Sequence, residues 1–389
     1  DDLFGYTADV NLSAKTARLT FRYRAVLGDA AASAYRLRIV GNCGDRSFCC
    51  EEPLRHSEGN LTAWVNDAKF WMPRNAGEAN LYEARATLLY GKTVMDAWTF
   101  RLGIRTVELE RSSVIEPDET GMGCGKFGFR VNGQPIFVLG TNWVPADAFR
   151  SQAKSRLREI LPMLNDLGCN MVRLWGGNAY EDEELFDFCD ENGILLWQDF
   201  AMACGIYPQN EAFVGKLRAE AEQVVRRYRG HCSLALWAGD NECDVFRSWD
   251  ARKSDPNRNI LTRRVLPEVL AREDMTRPYL PSSPFVDEKA YATGLPLSED
   301  HIWGPRDWFK GQYYSNTVCR FASEIGYHGC PEPDSLGRFL SADALSRRRF
   351  PQGECANAEW LTHAACMEIS KWCPYAYRIG LMAEQVQTL

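Results

Sequence analysis

The feature that most constrains the fold is the alternation of short apolar runs with longer helical patterns that begins near residue 113. The runs have the length of strands, and the segments between them place apolar residues three or four positions apart, as amphipathic helices do. We count seven runs, at 136–140, 170–175, 194–200, 234–237, 279–283, 301–303 and 318–323. Alternation of this kind is typical of parallel strands joined by crossover helices.

Seven strand–helix units predict a (β/α)8 barrel over residues 113–389. The alternative is an open, doubly wound sheet, which requires a glycine-rich turn after its first strand. No such turn follows 136–140. The sequence stops at Leu389 after a helical pattern, so we expect the last barrel strand to be missing and the chain to be a piece of a longer protein.

Residues 1–112 show another pattern. Apolar and polar side chains alternate with period two in 18–24, 35–39 and 82–88, as they do in strands with one buried face. Turn-forming glycine and asparagine residues separate these runs. The sequence therefore predicts a small antiparallel β-sandwich over residues 1–112, in front of the barrel.

Composition excludes several classes of protein. The chain has 52 acidic and 45 basic side chains and a net charge of -7, which argues against a nucleic-acid binder. No apolar run reaches membrane-spanning length, and the first residues lack the features of a signal peptide, so we expect a soluble protein. The 14 cysteines show no zinc-site spacing. We expect neither a metal nor an organic cofactor, while compartment and oligomeric state stay open.

Polar and aromatic side chains cluster at the ends of six predicted strands, which is where a barrel places its active site. They are Asn142 and Trp143 at the first strand, Asn178 after the second, Asp199 at the third, Asp240, Asn241 and Glu242 at the fourth, His301 and Trp303 at the sixth, and Ser323 and Glu324 at the seventh. Carboxylates and amides at strand ends add little stability, so their recurrence indicates a functional site.

Two of these ends supply a carboxylate after an apolar strand, Glu242 and Glu324. For a single glutamate there, a helix amino terminus, which favours negative charge, is the preferred explanation. A pair facing one pocket suits glycoside hydrolysis, because one group must protonate the leaving oxygen while the other attacks or activates water. A separation of about 5–5.5 Å predicts retention of configuration, and about 6.5–9.5 Å predicts inversion.

The strand ends belong to longer motifs. Those of the barrel region are Asn142-Trp143-Val144-Pro145-Ala146-Asp147, Arg173-Leu174-Trp175-Gly176-Gly177, Trp197-Gln198-Asp199-Phe200, Trp237 to Glu242 and Arg320 to Gly326, and those of the sandwich are Phe70-Trp71-Met72-Pro73 and Gly103-Ile104-Arg105. Together they resemble glycoside hydrolase family 2, in particular its β-mannosidase branch. The resemblance covers nearly the whole chain and implies an immunoglobulin-like sandwich that leads into a catalytic (β/α)8 barrel.

The resemblance also implies individual roles. Glu242 is the expected acid/base and Glu324 the expected nucleophile, while Asn241 is expected to bond the sugar 2-hydroxyl. The expected sugar-binding residues are Asn142, Trp143, Trp175, Asp199, His301 and Trp303. Arg173 is expected to keep Glu324 ionised. Three of these residues have a structural alternative: Trp175 as barrel filling, Asp199 as a helix cap, and His301 as a core histidine. For Trp197 we expect the core.

The predicted function is a retaining glycoside hydrolase that cleaves terminal β-linked mannosides by double displacement through a covalent glycosyl-enzyme. Its expected partner is a carbohydrate substrate. The alternatives are another activity of the family (β-galactosidase, β-glucuronidase, exo-β-glucosaminidase or endo-β-mannosidase) or a carbohydrate-binding fragment without catalysis.

The chain departs from the β-mannosidase pattern in three respects. Asp240 stands where the motif has asparagine, and Asn178 stands where it has glycine. The amino-terminal jelly-roll domain of the family is not found in this sequence. Asp240 is expected either to perturb the pKa of the acid/base or to contact only a loop, and Asn178 is expected to alter the edge of the sugar site.

Overall fold

The structure is a computed structural model, and it describes residues 1–147, 149–249, 254–303 and 312–326. The chain divides into two compact units. The first contains residues 1–300 and 318–323, and the second contains, among the described residues, 301–303, 312–317 and 324–326. Within the described residues, no helix combines the length and the apolar character that crossing a bilayer requires.

Residues 1–102, all of them described, form two antiparallel sheets. Their strands are β1 (Asp2–Asn11), β2 (Thr16–Arg24), β3 (Tyr35–Cys43), β4 (Arg46–Pro53), β5 (Glu58–Val65), β6 (Tyr82–Tyr90) and β7 (Thr93–Leu102). One sheet has the order β1-β2-β5, and the other has the order β4-β3-β6-β7. The predicted antiparallel strands at the start of the chain are therefore confirmed.

The alternating sequence pattern explains how these sheets pack. In β2, Leu19 and Phe21 are fully buried, whereas Arg18, which directly precedes Leu19, is exposed. Ile39 of β3 and Tyr82 of β6 are buried from the other sheet and join the same apolar cluster. Successive strand residues face opposite sides, so period-two alternation turns one face of each sheet into core.

A three-stranded antiparallel sheet follows, made of β8 (Val107–Arg111), β9 (Phe127–Val131) and β10 (Gln134–Ile136) in the order β10-β9-β8. Its aromatic side chains Phe127 and Phe129 pack against Trp197, with ring centroids 6.1 and 6.4 Å away. Trp197 is fully buried, as predicted for a core residue. This small sheet thus covers one side of the strand that carries Trp197.

The described residues contain one parallel sheet of five strands in chain order. Its strands are β11 (Gly140–Trp143), β12 (Met171–Leu174), β13 (Leu195–Asp199), β14 (Leu234–Ala238) and β15 (Tyr279–Leu280). The register places Asn142 beside Arg173, and Arg173 beside Trp197. Because parallel neighbours in sequential order end at the same edge, the carboxyl ends of these strands lie together, as the sequence predicts.

Helices alternate with these strands. They are α1 (Arg150–Asp166), α2 (Glu183–Asn192), α3 (Glu211–Tyr228), α4 (Cys243–Trp249), α5 (Leu266–Glu273) and α6 (Glu288–Thr293), with a π-helical turn at Leu261–Val265. Apolar faces such as Leu161, Phe186 and Val225 form one cluster with Leu196 and Trp237 of the sheet. The remaining elements are β16 (Glu299–Trp303), α7 (Gln312–Ser315) and β17 (Phe321–Gly326), and β16 pairs with β17.

The first predicted barrel strand is wrong in position. The apolar run 136–140 is divided between β10 and the start of β11, and Phe137 within it is 82% exposed. The parallel strand begins only at Gly140, so Asn142 and Trp143 lie in β11 and not after it. The alternating architecture is observed, whereas the predicted lack of an eighth strand concerns residues after 326, outside the described residues.

Candidate active site

Three of the residues predicted for the site accept hydrogen bonds from the guanidinium of a fourth, Arg173. Its Nη1 donates to Asn142 Oδ1 at 3.0 Å. Its Nη2 donates to Asp199 Oδ2 at 2.8 Å and to Asn241 Oδ1 at 2.7 Å. The strand register brings these groups together, and the planar fork of an arginine can serve several acceptors at once. The carboxyl ends of β11, β12, β13 and β14 are tied to one side chain as a result.

Asp199 is the buried carboxylate of this cluster. Its Oδ2 also accepts from the backbone N–H of Gly176 at 3.0 Å, and its Oδ1 accepts from Trp197 Nε1 at 2.8 Å. Burial raises the pKa of Asp199 to about 6, and the charge of Arg173 opposes the rise. Helix α3 is capped by Asn210, so Asp199 orients the cluster and does not cap that helix.

The backbone of Asn241 joins three loops at the carboxyl edge of the sheet. It forms parallel β-bridges to Ala203 on one side and Ser283 on the other. Its N–H donates to Met202 O at 2.9 Å, and the N–H of Glu242 donates to Ser283 O at 2.8 Å. The predicted acid/base therefore starts from backbone that is hydrogen-bonded to the loops after β13 and β15.

Glu242 and Cys204 face each other in an uncommon backbone geometry. Both have positive φ angles, 59° and 45°, a region that side chains other than glycine rarely adopt. Cys204 Sγ donates to Glu242 Oε2 at 3.3 Å, and Asn241 Nδ2 donates to the same sulfur at 3.4 Å. The exposed thiol of Cys204 was not found by sequence reasoning, because it lies in a loop and no motif spacing points to it.

Asp240, the first departure from the β-mannosidase pattern, is fully buried. Its Oδ1 accepts from Ser282 Oγ and from the backbone N–H of Cys243, while Oδ2 has no hydrogen-bond partner among the described residues. Burial and the nearby carboxylate of Asp244 raise the pKa of Asp240. Asp244 has a counter-charge that Asp240 lacks, because Arg263 donates to both of its carboxylate oxygens at 2.9 and 2.6 Å.

Glu299 links the segment after β15 to β17, and it was not among the predicted site residues. Its Oε1 accepts from Ser283 Oγ at 2.7 Å and from Ser323 Oγ. The carbonyl of Ser323 accepts in turn from Asn142 Nδ2 at 2.8 Å, which joins β17 to β11. The sequence places the sixth strand at 301–303, whereas β16 already begins at Glu299, and this residue was left outside the predicted site.

In the second unit, the carboxylate of Glu324 is held by two aromatic residues. Trp303 Nε1 donates to Glu324 Oε2 at 2.9 Å, and His301 Nδ1 lies 3.5 Å from the same oxygen. The indole of Trp303 packs on Gly326, where an added Cβ would be 2.0 Å from it. Pairing of β16 with β17 thus brings three predicted site residues together.

The remaining aromatic residues differ in their surroundings. Trp143 is only 5% exposed, and its Nε1 donates to Glu181 Oε1 at 3.3 Å. Asn178, the second departure from the pattern, donates to the same oxygen at 2.9 Å. Trp175 packs on Gly177, where a Cβ would lie 2.1 Å from its ring. Trp143 therefore belongs to the helix-side core, and its predicted contact with sugar stays a prediction.

One cluster in the first unit has the composition of a metal site. Asp187, Asp190 and His231 each offer a ligand atom within 4.8 Å of the others. These atoms already have protein partners, since Asp187 pairs with Arg101 at 2.5 Å and Asp190 accepts from His231 at 2.7 Å. The cluster is accounted for as an ion-pair network between the helix α2 and the start of β14.

No protein-family model matches the chain. Among curated proteins, it is 32% identical over 316 residues to a β-mannosidase of Capra hircus, covering 75% of this chain and 35% of that protein. It is 30% identical over 312 residues to β-mannosidase B of Thermothelomyces thermophilus, covering 76% and 36%. The chain spans about a third of the length of the curated relatives that it matches.

Among solved structures, the β-D-mannosidase from Dictyoglomus thermophilum superposes with a TM-score of 0.73 at 30% identity. The match covers 88% of this chain and 42% of that protein. Sequence and fold thus agree on one group of relatives, and the resemblance inferred from the motifs is confirmed. The chain is a homologue of the β-mannosidases of glycoside hydrolase family 2.

Proposed function

We propose that this chain carries the catalytic residues of a retaining glycoside hydrolase that cleaves terminal β-linked mannosides. The observation that carries the proposal is the position of Glu242 directly after β14, in a chain about 30% identical to proteins named β-mannosidase. Glu324 in β17 supplies the second carboxylate that the chemistry needs.

In the proposed mechanism, Glu242 is the acid and then the base. It first protonates the oxygen of the leaving group, and it later removes a proton from the water that hydrolyses the intermediate. The bonds of Asn241 and Ser283 fix the backbone at this position. The thiol of Cys204 binds one carboxylate oxygen, which orients the carboxyl group for proton transfer.

Glu324 is the proposed nucleophile, which attacks the anomeric carbon and forms the covalent glycosyl-enzyme. Trp303 donates to one of its oxygens, and this bond orients the carboxylate. Retention requires the two carboxyl groups to lie about 5–5.5 Å apart, and we expect that separation here. The proposed role of Arg173 in keeping Glu324 ionised stays a prediction, since the two residues belong to different units.

The Arg173 cluster is proposed to bind the sugar. Asn142, Asp199 and Asn241 are held by charge-assisted hydrogen bonds, so their remaining lone pairs and N–H groups have fixed directions. A site with fixed polar groups discriminates strongly between hydroxyl configurations, because the wrong sugar leaves a buried group unpaired. The indole faces of Trp175 and Trp303 and the ring of His301 are proposed to complete the sugar site.

We further propose that the sandwich is an immunoglobulin-like domain and that the parallel sheet is part of a (β/α)8 barrel, with the boundary near residue 112. The strand order supports the first part, since β1-β2-β5 and β4-β3-β6-β7 are two packed antiparallel sheets. The sequential parallel order of β11 to β15 supports the second.

Mass spectrometry with mechanism-based labels tests the function. Activated 2-deoxy-2-fluoro β-glycosides trap the covalent intermediate, so one slow turnover is sufficient. We expect the mannosyl reagent to add one sugar to the 389-residue chain at Glu324. The variant Glu324→Gln should not be labelled, whereas Glu108→Gln, at an exposed position of β8, should react like the wild type.

Each other outcome has a defined meaning. Labelling by the galactosyl or glucosyl reagent at Glu324 would keep the mechanism and replace the proposed sugar. Binding of mannosides in a calorimetric titration without any label would favour a carbohydrate-binding fragment. Absence of both label and binding would overturn the proposed function for this chain.

A further inference from the structure

A cavity of about 370 Å³ lies at the ends of the parallel strands opposite to those that hold the candidate active site. It is lined by β1, by the segment between β7 and β8, and by the residues that precede β14 and β15. All of these elements belong to the first unit. The carboxyl ends of the strands hold the candidate site, so this cavity is at the amino-terminal edge of the sheet.

Three arginines line this cavity, Arg105, Arg229 and Arg277, and none of the described lining residues is acidic. Two of the three are neutralised from outside the cavity. Arg229 pairs with Glu273 at 2.9 Å, and Arg277 pairs with Asp274 at 2.7 Å. The positive charges that face the cavity are therefore only partly balanced.

Arg105 is the unbalanced charge. It is 6% exposed, and its Nε and Nη2 donate to the backbone carbonyls of Cys232 and Leu234 at 2.8 and 2.5 Å. Within the described part of the chain, it pairs with no carboxylate, and its Nη1 has no hydrogen-bond partner.

Burying an unpaired charge is costly, and proteins normally supply a counter-charge or a bound ion. Burial and then the charge of Arg277 lower the pKa of Arg105 to about 9. A bound anion would remove this cost, because it would accept from Nη1 and offset the repulsion between the two guanidinium groups.

We propose that this cavity binds a small oxoanion of the phosphate or sulfate type, with Arg105 as its main ligand. A guanidinium with a free Nη1 presents donors to an oxoanion in the geometry that phosphate prefers. Arg277 also lines the cavity, and although its own nitrogens donate to Leu234 O, Asp274 Oδ2 and His231 O, its charge would still attract the anion. The proposal concerns a structural anion site and does not depend on the proposed hydrolysis.

Calorimetric titration of the 389-residue chain with inorganic phosphate tests the proposal, with sodium chloride at equal ionic strength as the reference. We expect saturable binding at one site. Met275 lines the cavity and is 55% exposed, so a charge can be placed there without disturbing the core. The variant Met275→Glu should weaken phosphate binding about tenfold or more, the scale of one charge-assisted hydrogen bond. The matched variant Met275→Gln should bind like the wild type.

Arg105→Gln should abolish binding, but its bonds to two carbonyls also support the fold, so the Met275 pair gives the decisive comparison. Equal phosphate affinity in Met275→Glu and Met275→Gln would overturn the proposal. So would a wild-type titration that shows no saturable heat beyond the chloride reference.

Discussion

Arg173 Nη2 lies 2.7 Å from Asn241 Oδ1, so a side chain of β12 holds the residue that precedes Glu242. Arg173 lies in β12 and Asn241 follows the end of β14, and β13 lies between these two strands. The same nitrogen donates to Asp199, and all three side chains are buried. The position of the proposed acid/base is therefore linked to a buried ion pair.

Replacing Arg173 by methionine should destabilise the protein. Methionine has a similar volume but leaves Asp199 without its counter-charge, and breaking a buried pair from one side costs about 3–5 kcal/mol. We expect the free energy of unfolding in urea at pH 7 to fall by that amount. Arg218→Met is the matched control, since its pair with Glu268 is solvent-exposed and such pairs contribute about 1 kcal/mol or less. Equal losses in the two variants would contradict the interpretation of the cluster.

Asp240→Asn should change how stability depends on pH. The pKa of Asp240 is raised in the folded state above its ordinary value of 3.8. Below that value the carboxyl is protonated in both states, and its contribution to stability is complete. As pH rises, the unfolded chain loses the proton first, so the wild type loses up to about 1.4 kcal/mol per pH unit until folded Asp240 ionises. Asp240→Asn has no carboxyl group to ionise, so its free energy of unfolding in urea should rise relative to that of the wild type from about pH 4 to pH 7.

Asp244→Asn is the matched control for that experiment. It should lower the free energy of unfolding at neutral pH, whereas Asp240→Asn should raise it. Asp244 accepts two hydrogen bonds from Arg263, so its replacement by asparagine leaves a partly buried cation without its counter-charge. We expect a loss of about 3–5 kcal/mol at neutral pH. A constant difference between Asp240→Asn and the wild type over the whole pH range would show that Asp240 titrates normally.

Glu242→Gln should separate the two steps of the proposed reaction. An aryl mannoside with an acidic leaving group needs little protonation, so the covalent intermediate should still form, while its hydrolysis slows by about 10²–10⁴-fold without the general base. Azide, which needs no base, should restore turnover and give the β-mannosyl azide. Stopped-flow release of the aryl group with product analysis checks this. An unchanged hydrolysis rate, or an azide product of inverted configuration, would contradict the proposed role.

Trp303→Phe should slow labelling by the 2-fluoro mannoside. The variant keeps an aromatic ring on Gly326 but loses the hydrogen bond from Nε1 to Glu324. A bond to a charged group contributes about 1.5–3 kcal/mol, so we expect the labelling rate to fall about tenfold or more. Trp64→Phe, at an exposed position of β5, should have no effect. If both variants label at the wild-type rate, the bond does not orient the nucleophile.

Much of the fold follows from local patterns. Alternation in β2 and the apolar strands β12 to β14 are readable because side chains repeat with the period of the element that they form. The position of the first parallel strand was harder to predict. The run 136–140 is apolar, but Ile136 packs in the cluster of the small sheet, and the parallel strand starts at Gly140. Apolar character alone does not distinguish two adjacent strands of different sheets.

The Arg173 cluster was predictable in part, since strand ends of a parallel sheet lie at one edge. The partners of each residue were not predictable. Cys204 accepts from Asn241 in a loop, and Glu299 is linked to Asn142 only through Ser323; neither residue belongs to a motif. The free charge of Arg105 was equally invisible in sequence. Whether a buried arginine has a counter-charge depends on which chain segments fold around it.

At position 242, the left-handed backbone favours glycine for stability, whereas the proposed reaction needs a glutamate. At φ 59°, glycine is less strained than any residue with a Cβ, by roughly 1 kcal/mol. A Glu242→Gly replacement would relax the loop and remove the carboxyl group together. In a homologue that does not need the activity, replacement of this glutamate by glycine would therefore be favoured by stability. The glutamate at this position fits the proposed role of proton donor, for which a small loss of folding stability would be tolerated.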